Sequence, residues 1–119
     1  MIIDKLLLDK VSAQAKQSPR LRMNYNLHDS LDDKAQRLFN ALEPGTVLPV
    51  HRHPHTAETY IIIRGSFKYL FYNDNGEVVE TGVIDNKKEI FGLHVPKGQW
   101  HTIETLEPDT VLFEVKDGP

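Results

Sequence analysis

The spacing of apolar residues changes near residue 35 of the 119. Before that point Ile3, Leu6, Leu7 and Val11 recur at helical intervals with charges on the other face, and Ser18-Pro19 closes the run. This pattern predicts an amphipathic helix over residues 3–17. Residues 20–34 are polar, with Asp29, Ser30, Asp32 and Asp33 marking turns. From Gln36 onward the texture is short runs of β-branched and aromatic residues, which predict strands at 36–43, 46–51, 58–64, 67–73, 78–84, 90–95, 101–105 and 110–115. Glu43-Pro44-Gly45, Asn73-Asp74-Asn75-Gly76, Pro96-Lys97-Gly98 and Glu107-Pro108-Asp109 supply the turns between them. Many short strands without intervening helices predict a mainly β sandwich or barrel. The organisation expected is one domain: a helix and extended arm over 1–35 packing on a barrel over 36–119. If Glu58 points inward, Tyr60 and Ile62 do too, and Thr59, Ile61 and Ile63 face out. Outward isoleucines need cover, from the helix, a second sheet, or a second copy in a homodimer.

Composition narrows the function classes. Hydrophobic residues make up 39% and charged residues 26%, ordinary for a soluble globular protein. A formal net charge of −3 argues against nucleic acid as a partner. No apolar run is long enough to span a membrane, and the amino-terminal segment lacks a signal-peptide core, so a cytoplasmic protein is expected. With no cysteine there is no disulfide, zinc–thiolate site or thiol nucleophile.

The candidate chemistry lies in GTVLPVHRHPHTAETYIIIRG, residues 45–65. His51 and His53 share one strand face by the i, i+2 rule. Glu58 follows a short turn, and His101 stands further on in PKGQWH. Three imidazoles and a carboxylate suit one divalent ion of zinc, iron, manganese or nickel. A four-ligand set leaves coordination places open, as a reactive centre requires. His55 continues the series, but Pro54 interrupts the strand and places His55 in an exposed turn. His28 and His94 carry no ligand spacing. Trp100 faces away from the metal by parity. Tyr60 shares the parity of Glu58 and is the candidate catalytic phenol, able to hydrogen-bond or transfer a proton. Arg22, Asn24 and Asn26 alternate in RMNYN; a guanidinium beside amides suits a carboxylate, phosphate or sugar hydroxyls, so these three are the candidate substrate-binding residues. A solvated edge strand gives the same alternation. Arg37 and Arg64 read as surface charges.

These motifs resemble the cupin superfamily. Gly45, His51, His53, Glu58 and Gly65 fall on its first motif, and Pro96, Gly98 and His101 on its second. The second motif's leading glycine falls at Ile90 and its final asparagine at Thr105. The segments SPRLRMNYNLH, SLDD, QRLFNALEPGT and HRHPH are further similar to the WbuC family of small cupin-fold metalloproteins. The resemblance implies a double-stranded jelly roll with a bound metal, and a surface-polysaccharide context.

Three functions are compatible with these residues. The first is an enzyme using its metal as a Lewis acid on a small oxygenated substrate, such as a sugar or sugar-nucleotide isomerase, epimerase or lyase. The second is an iron-dependent dioxygenase. The third is a non-catalytic module that holds a small ligand at the metal.

Overall fold

The computed structural model describes residues 1–119. A helix, α1 (Lys5–Gln17), precedes eight strands: β1 (Arg22–Asn26), β2 (Ala35–Leu42), β3 (Glu58–Arg64), β4 (Ser66–Tyr72), β5 (Val78–Asp85), β6 (Gly92–Val95), β7 (Trp100–Thr105) and β8 (Thr110–Asp117). They form two antiparallel sheets, one ordered β1-β2-β8-β3-β6 and the other β5-β4-β7. No helix is long and apolar enough to cross a membrane.

The core lies between the sheets. Leu42, Tyr60, Ile62 and Leu112 from the larger meet Phe67, Phe71 and Ile103 from the smaller. The parity expected of β3 holds, with Glu58, Tyr60 and Ile62 buried inside. A second cluster forms on the outer face of the larger sheet, where Leu8, Val11 and Ala15 of α1 press on Phe39, Ala41 and Val111. β2 is consequently buried on both faces for most of its length.

The helix begins at Lys5, two residues later than the periodicity suggested, because the Asp4 side chain caps it by accepting from the Leu7 N–H at 3.0 Å. Its buried face is also rotated from the one expected. Leu8, Val11, Ser12 and Ala15 face the sheet, whereas Ile3 and Leu6 are exposed. Arg64 fixes this rotation by donating to Asp9 Oδ1 at 2.6 Å and Ser12 Oγ at 3.0 Å. Cover over the outer face of β3 is partial. Ile63 packs under the helix cluster, while Ile61 and Val115 remain 42% and 38% exposed.

The helix seating makes a stability prediction. Val11 is fully buried, so Val11→Ala removes two methyl groups at ~0.8 kcal/mol each and leaves a small void. We expect a loss of about 2–3 kcal/mol and a Tm lower by roughly 8–12 °C. Leu6→Ala, at a side chain 79% exposed, should change stability by less than about 0.5 kcal/mol. Calorimetric melts that reverse this order would show that the helix is seated on another face.

Candidate metal centre

Strands from both sheets deliver the ligand-type side chains to one end of the barrel. β3 turns Glu58 and Tyr60 inward, and β7 turns His101 inward, each of them buried. His51 and His53 arrive on the segment between β2 and β3. The strand expected at 46–51 is absent there, reduced to a single bridge pairing His51 with His101. Pro49 has no N–H to continue a ladder, and Val47 faces solvent. The segment is instead tied down at separate points. His51 N–H donates to His101 O at 3.1 Å, and His101 N–H returns to His51 O at 2.9 Å. Thr102 Oγ1 donates to Leu48 O at 2.8 Å, and Gly98 N–H to His53 O at 2.9 Å.

The ligating atoms of His51, His53 and Glu58 all lie within 4.8 Å of one another. His101 stands against the same group, with its ring centroid 4.3 Å from that of His51 and its Nε2 3.4 Å from Glu58 Oε2. Glu58 Oε1 is 2.6 Å from His53 Nε2. The Tyr60 hydroxyl donates to Glu58 Oε2 and lies 3.4 Å from His101 Nε2. Outer partners set the histidine tautomers. His51 Nδ1 is 3.0 Å from Pro49 O, and His101 Nδ1 is 2.8 Å from Gln99 O. A carbonyl only accepts, so each Nδ1 carries a proton, and in the neutral ring Nε2 is the nitrogen left free to ligate. Such carbonyl–histidine contacts are the usual second layer around a metal-bound imidazole.

The electrostatics agree with that use. Burial would raise the Glu58 carboxyl, but hydrogen bonds from His101 and Tyr60 and the charges of His53 and His101 outweigh it and hold the group at about 2. Glu58 is therefore ionised at any physiological pH. Burial lowers His53, keeping it neutral, with the Glu58 charge only partly opposing. His101 moves upward: burial works against its charge, but the bonds to Glu58 and the Gln99 carbonyl prevail. Tyr60 is driven far above the usual phenol range by burial and by the charges of Glu114 and Glu58, so it keeps its proton. Two or three imidazole nitrogens around an ionised carboxylate fit a divalent ion of the borderline class.

The cluster forms one wall of a polar cavity of about 240 Å³. Of the three residues marked as substrate-binding candidates, Arg22 and Asn24 line this cavity and Asn26 does not. Two lining groups, Glu114 and Lys116, escaped notice in the sequence. Strand parity carries the signal for both: Leu112 is a core residue of β8, so positions 114 and 116 point the same way. Burial, and then the charge of Glu58, push the Glu114 carboxyl up to about 7. Of the other histidines, His55 and His94 are exposed, and His28 is buried with Nδ1 accepting from the Arg37 N–H at 3.2 Å. Trp100 is partly exposed outside the cavity, its ring 4.7 Å beneath the Arg52 guanidinium. Arg64, expected at the surface as a lone charge, is part of the helix attachment.

Two antiparallel sheets closing on an inward His–His–Glu cluster define a cupin-fold protein with a possible metal site. Solved structures of that fold superpose on the chain. KdgF from Halomonas sp. matches with a TM-score of 0.67 and 14% identity, covering 87% of this chain and 84% of that one. The cupin domain of Schizosaccharomyces pombe Cnp3 matches at 0.65 and 13% identity, covering 82% and 65%. Bacillus subtilis oxalate decarboxylase, a protein with Mn(II) centres, matches at 0.58 and 19%, covering 82% of this chain and 24% of its own length. The chain belongs to the family described as "Domain of unknown function (DUF6016)", whose profile matches residues 3–84. No curated protein matches the sequence. The likeness to the WbuC family rests on its sequence segments alone.

Proposed function

We propose that this chain is a metal-dependent enzyme that moves a proton on a small oxygenated substrate, of the sugar isomerase, epimerase or lyase kind. The observation that carries the reading is the pairing, in one cavity, of the His51–His53–Glu58–His101 cluster with a carboxyl, Glu114, that has no hydrogen-bond partner of its own. A divalent ion held by those four side chains would supply Lewis-acid polarisation of a substrate carbonyl or adjacent hydroxyl. The chain's own groups divide the remaining work. Glu114, a largely buried carboxyl facing the same cavity, takes a proton from the carbon beside the carbonyl and returns it. Tyr60 keeps its proton and fixes the orientation of Glu58. Glu58 stays ionised and brings His53 and His101 into register.

The test is solvent-deuterium exchange. Metal-loaded protein is incubated in heavy water with aldoses, ketoses, uronic acids and nucleotide sugars, and substrates are read by proton NMR. We expect deuterium at the carbon next to the carbonyl of at least one class, slowed about a hundredfold or more in Glu114→Gln. Full metal occupancy without exchange or turnover across the panel would sink the reading.

A further inference from the structure

Opposite the ligand cluster, the cavity is lined by Arg22, Asn24, Asn40, Glu114 and Lys116. These belong to three neighbouring strands of the larger sheet, and their side chains share its inner face. In the β1–β2 register Asn24 stands across from Asn40, with Arg22 two positions along. In the β2–β8 register Asn40 stands across from Leu112, which places Glu114 and then Lys116 further along the same face, on the side away from Arg22, which is level with Thr110. Lys116 in turn stands across from Glu58 in the β3–β8 register. The wall therefore runs from the edge of the sheet to the ligand cluster without a break.

Its polar groups are largely uncommitted. Arg22 donates one N–H to Val47 O at 2.8 Å, which holds the guanidinium in place and leaves its other donors free. Lys116 is half-buried with no carboxylate in ion-pair range. The Asn40 side-chain oxygen is buried and accepts no hydrogen bond. Buried polar atoms are nearly always paired, so an acceptor left open in a cavity wall is a place where a donor belongs. Glu114 faces the cavity with both carboxyl oxygens free of protein hydrogen bonds and can accept from a ligand hydroxyl.

We propose that this wall recognises a small polyhydroxylated carboxylate, with Arg22 taking the carboxylate at the sheet edge and Asn24, Asn40, Glu114 and, beside the ligand cluster, Lys116 reading the hydroxyls. The proposal rests on the enzyme reading above and names its substrate class. Two cations call for an anion, and a guanidinium matches a carboxylate by paired hydrogen bonds. Acceptors set between those cations call for a ligand that also donates. Inorganic phosphate meets the first demand and fails the second, because its one or two O–H groups sit on a single centre and cannot reach acceptors spread over three strands; a neutral sugar fails the first. A cavity of about 240 Å³ holds the volume of roughly eight waters at ~30 Å³ each, which suits a monosaccharide-sized acid. The nucleotide of a nucleotide sugar would have to stay outside.

The experiment uses gluconate as the probe, against sorbitol (the hydroxyls without the carboxylate), acetate (the charge without the hydroxyls) and inorganic phosphate. Binding is followed by amide-shift titration on the 119-residue chain, both zinc-loaded and after chelator treatment. In both states gluconate should bind at least tenfold tighter than each of the others. Arg22→Met should remove most of that advantage while leaving sorbitol binding unchanged, whereas Lys116→Met, at the other end of the wall, should weaken gluconate and sorbitol together. Lys116 lies near the end of β8, away from either apolar cluster, so its variant tests the wall even if Arg22→Met loosens β1. Acetate binding as tight as gluconate, or variants that hold gluconate like the parent, would overturn the proposal. Failure here beside intact metal and deuterium exchange would remove the wall and keep the enzyme. Selective gluconate binding by a chain that takes up no metal would do the reverse.

Discussion

His53→Ala should take the chain from about one divalent ion per molecule to background, in protein purified without chelator or immobilised nickel. Loss of a residue that merely orients a ligand lowers metal affinity by roughly 10–100-fold, so loss of a ligand should exceed about a hundredfold. His53 is a clean position for this test, being only half-buried on a segment outside both sheets, so the fold should tolerate alanine. The pH dependence gives a second readout. Glu58, at about 2, does not titrate in the accessible range, and His53 is already neutral near pH 7. The competing proton is that of His101, whose value is raised above 6.5 in the metal-free chain. Because the folded value is raised, the His101–Glu58 contact stabilises the metal-free chain fully below pH 6.5 and loses its contribution as pH rises through the folded value. Metal binding has the opposite sign, since only neutral imidazole ligates. Saturating metal at a hundred times its dissociation constant adds about 2.7 kcal/mol, and this margin should widen between pH 6 and pH 8. Melts with and without metal at the two values check it. A thermal shift that is larger at pH 6, or a His53→Ala protein with undiminished metal content, would show that the ion binds elsewhere.

The sequence made the histidine–glutamate cluster legible but left much of the cavity hidden, for a single physical reason. Period-two alternation tells which face of a strand is apolar; it does not tell whether a polar face meets bulk water or a water-sized cavity. Residues 22–26 alternate polar with partly buried, Met23 and Tyr25 resting under the helix; the alternation fits the edge strand that β1 is, but not the fact that its polar face lines a cavity. Glu114 and Lys116 look in the same way like the solvated tail of β8. The strand at 58–64 is plain from its run of β-branched and aromatic residues, but with isoleucines on both faces its parity follows only from placing Glu58 inward. The opposite error occurs at 46–51, where Val47 and Val50 suggest a strand but are exposed on a proline-interrupted segment. There, the backbone exchange between His51 and His101 does what a ladder was expected to do. That pairing is a long-range contact with no local signature, and it brings together two imidazoles fifty residues apart.

Gly65→Ala should destabilise the chain more than the same change at any other turn glycine, by about 2–5 kcal/mol. Gly65 is where the chain leaves the larger sheet at Arg64 and enters the smaller at Ser66. It does so at φ +83°, a region that costs a residue with a side chain roughly 1–2 kcal/mol. An added Cβ would also stand 2.2 Å from Thr110 Oγ1 and 2.8 Å from Thr110 Cα. Thr110 has no room to retreat: it is fully buried, and its hydroxyl donates to Glu107 O at 2.8 Å and faces the Ser66 N–H at 3.3 Å. Backbone would have to move, adding an overpacking cost of about 1–3 kcal/mol. Gly76 isolates the two contributions, since it has a matching φ of +81° with nothing within 4 Å of its Cβ position. Gly76→Ala should therefore cost only the conformational 1–2 kcal/mol. The consequence for the site is specific. Glu58 and Tyr60 belong to the larger sheet, whereas His101 belongs to the smaller and is set in register by Phe71 of β4. Forcing the sheets apart at Gly65 should thus lower metal affinity along with Tm, while Gly76→Ala, in the β4–β5 turn, should lower Tm alone. Equal denaturant midpoints for the two variants would mean that Thr110 yields, and that the closeness of the sheets at Gly65 does not hold the site together.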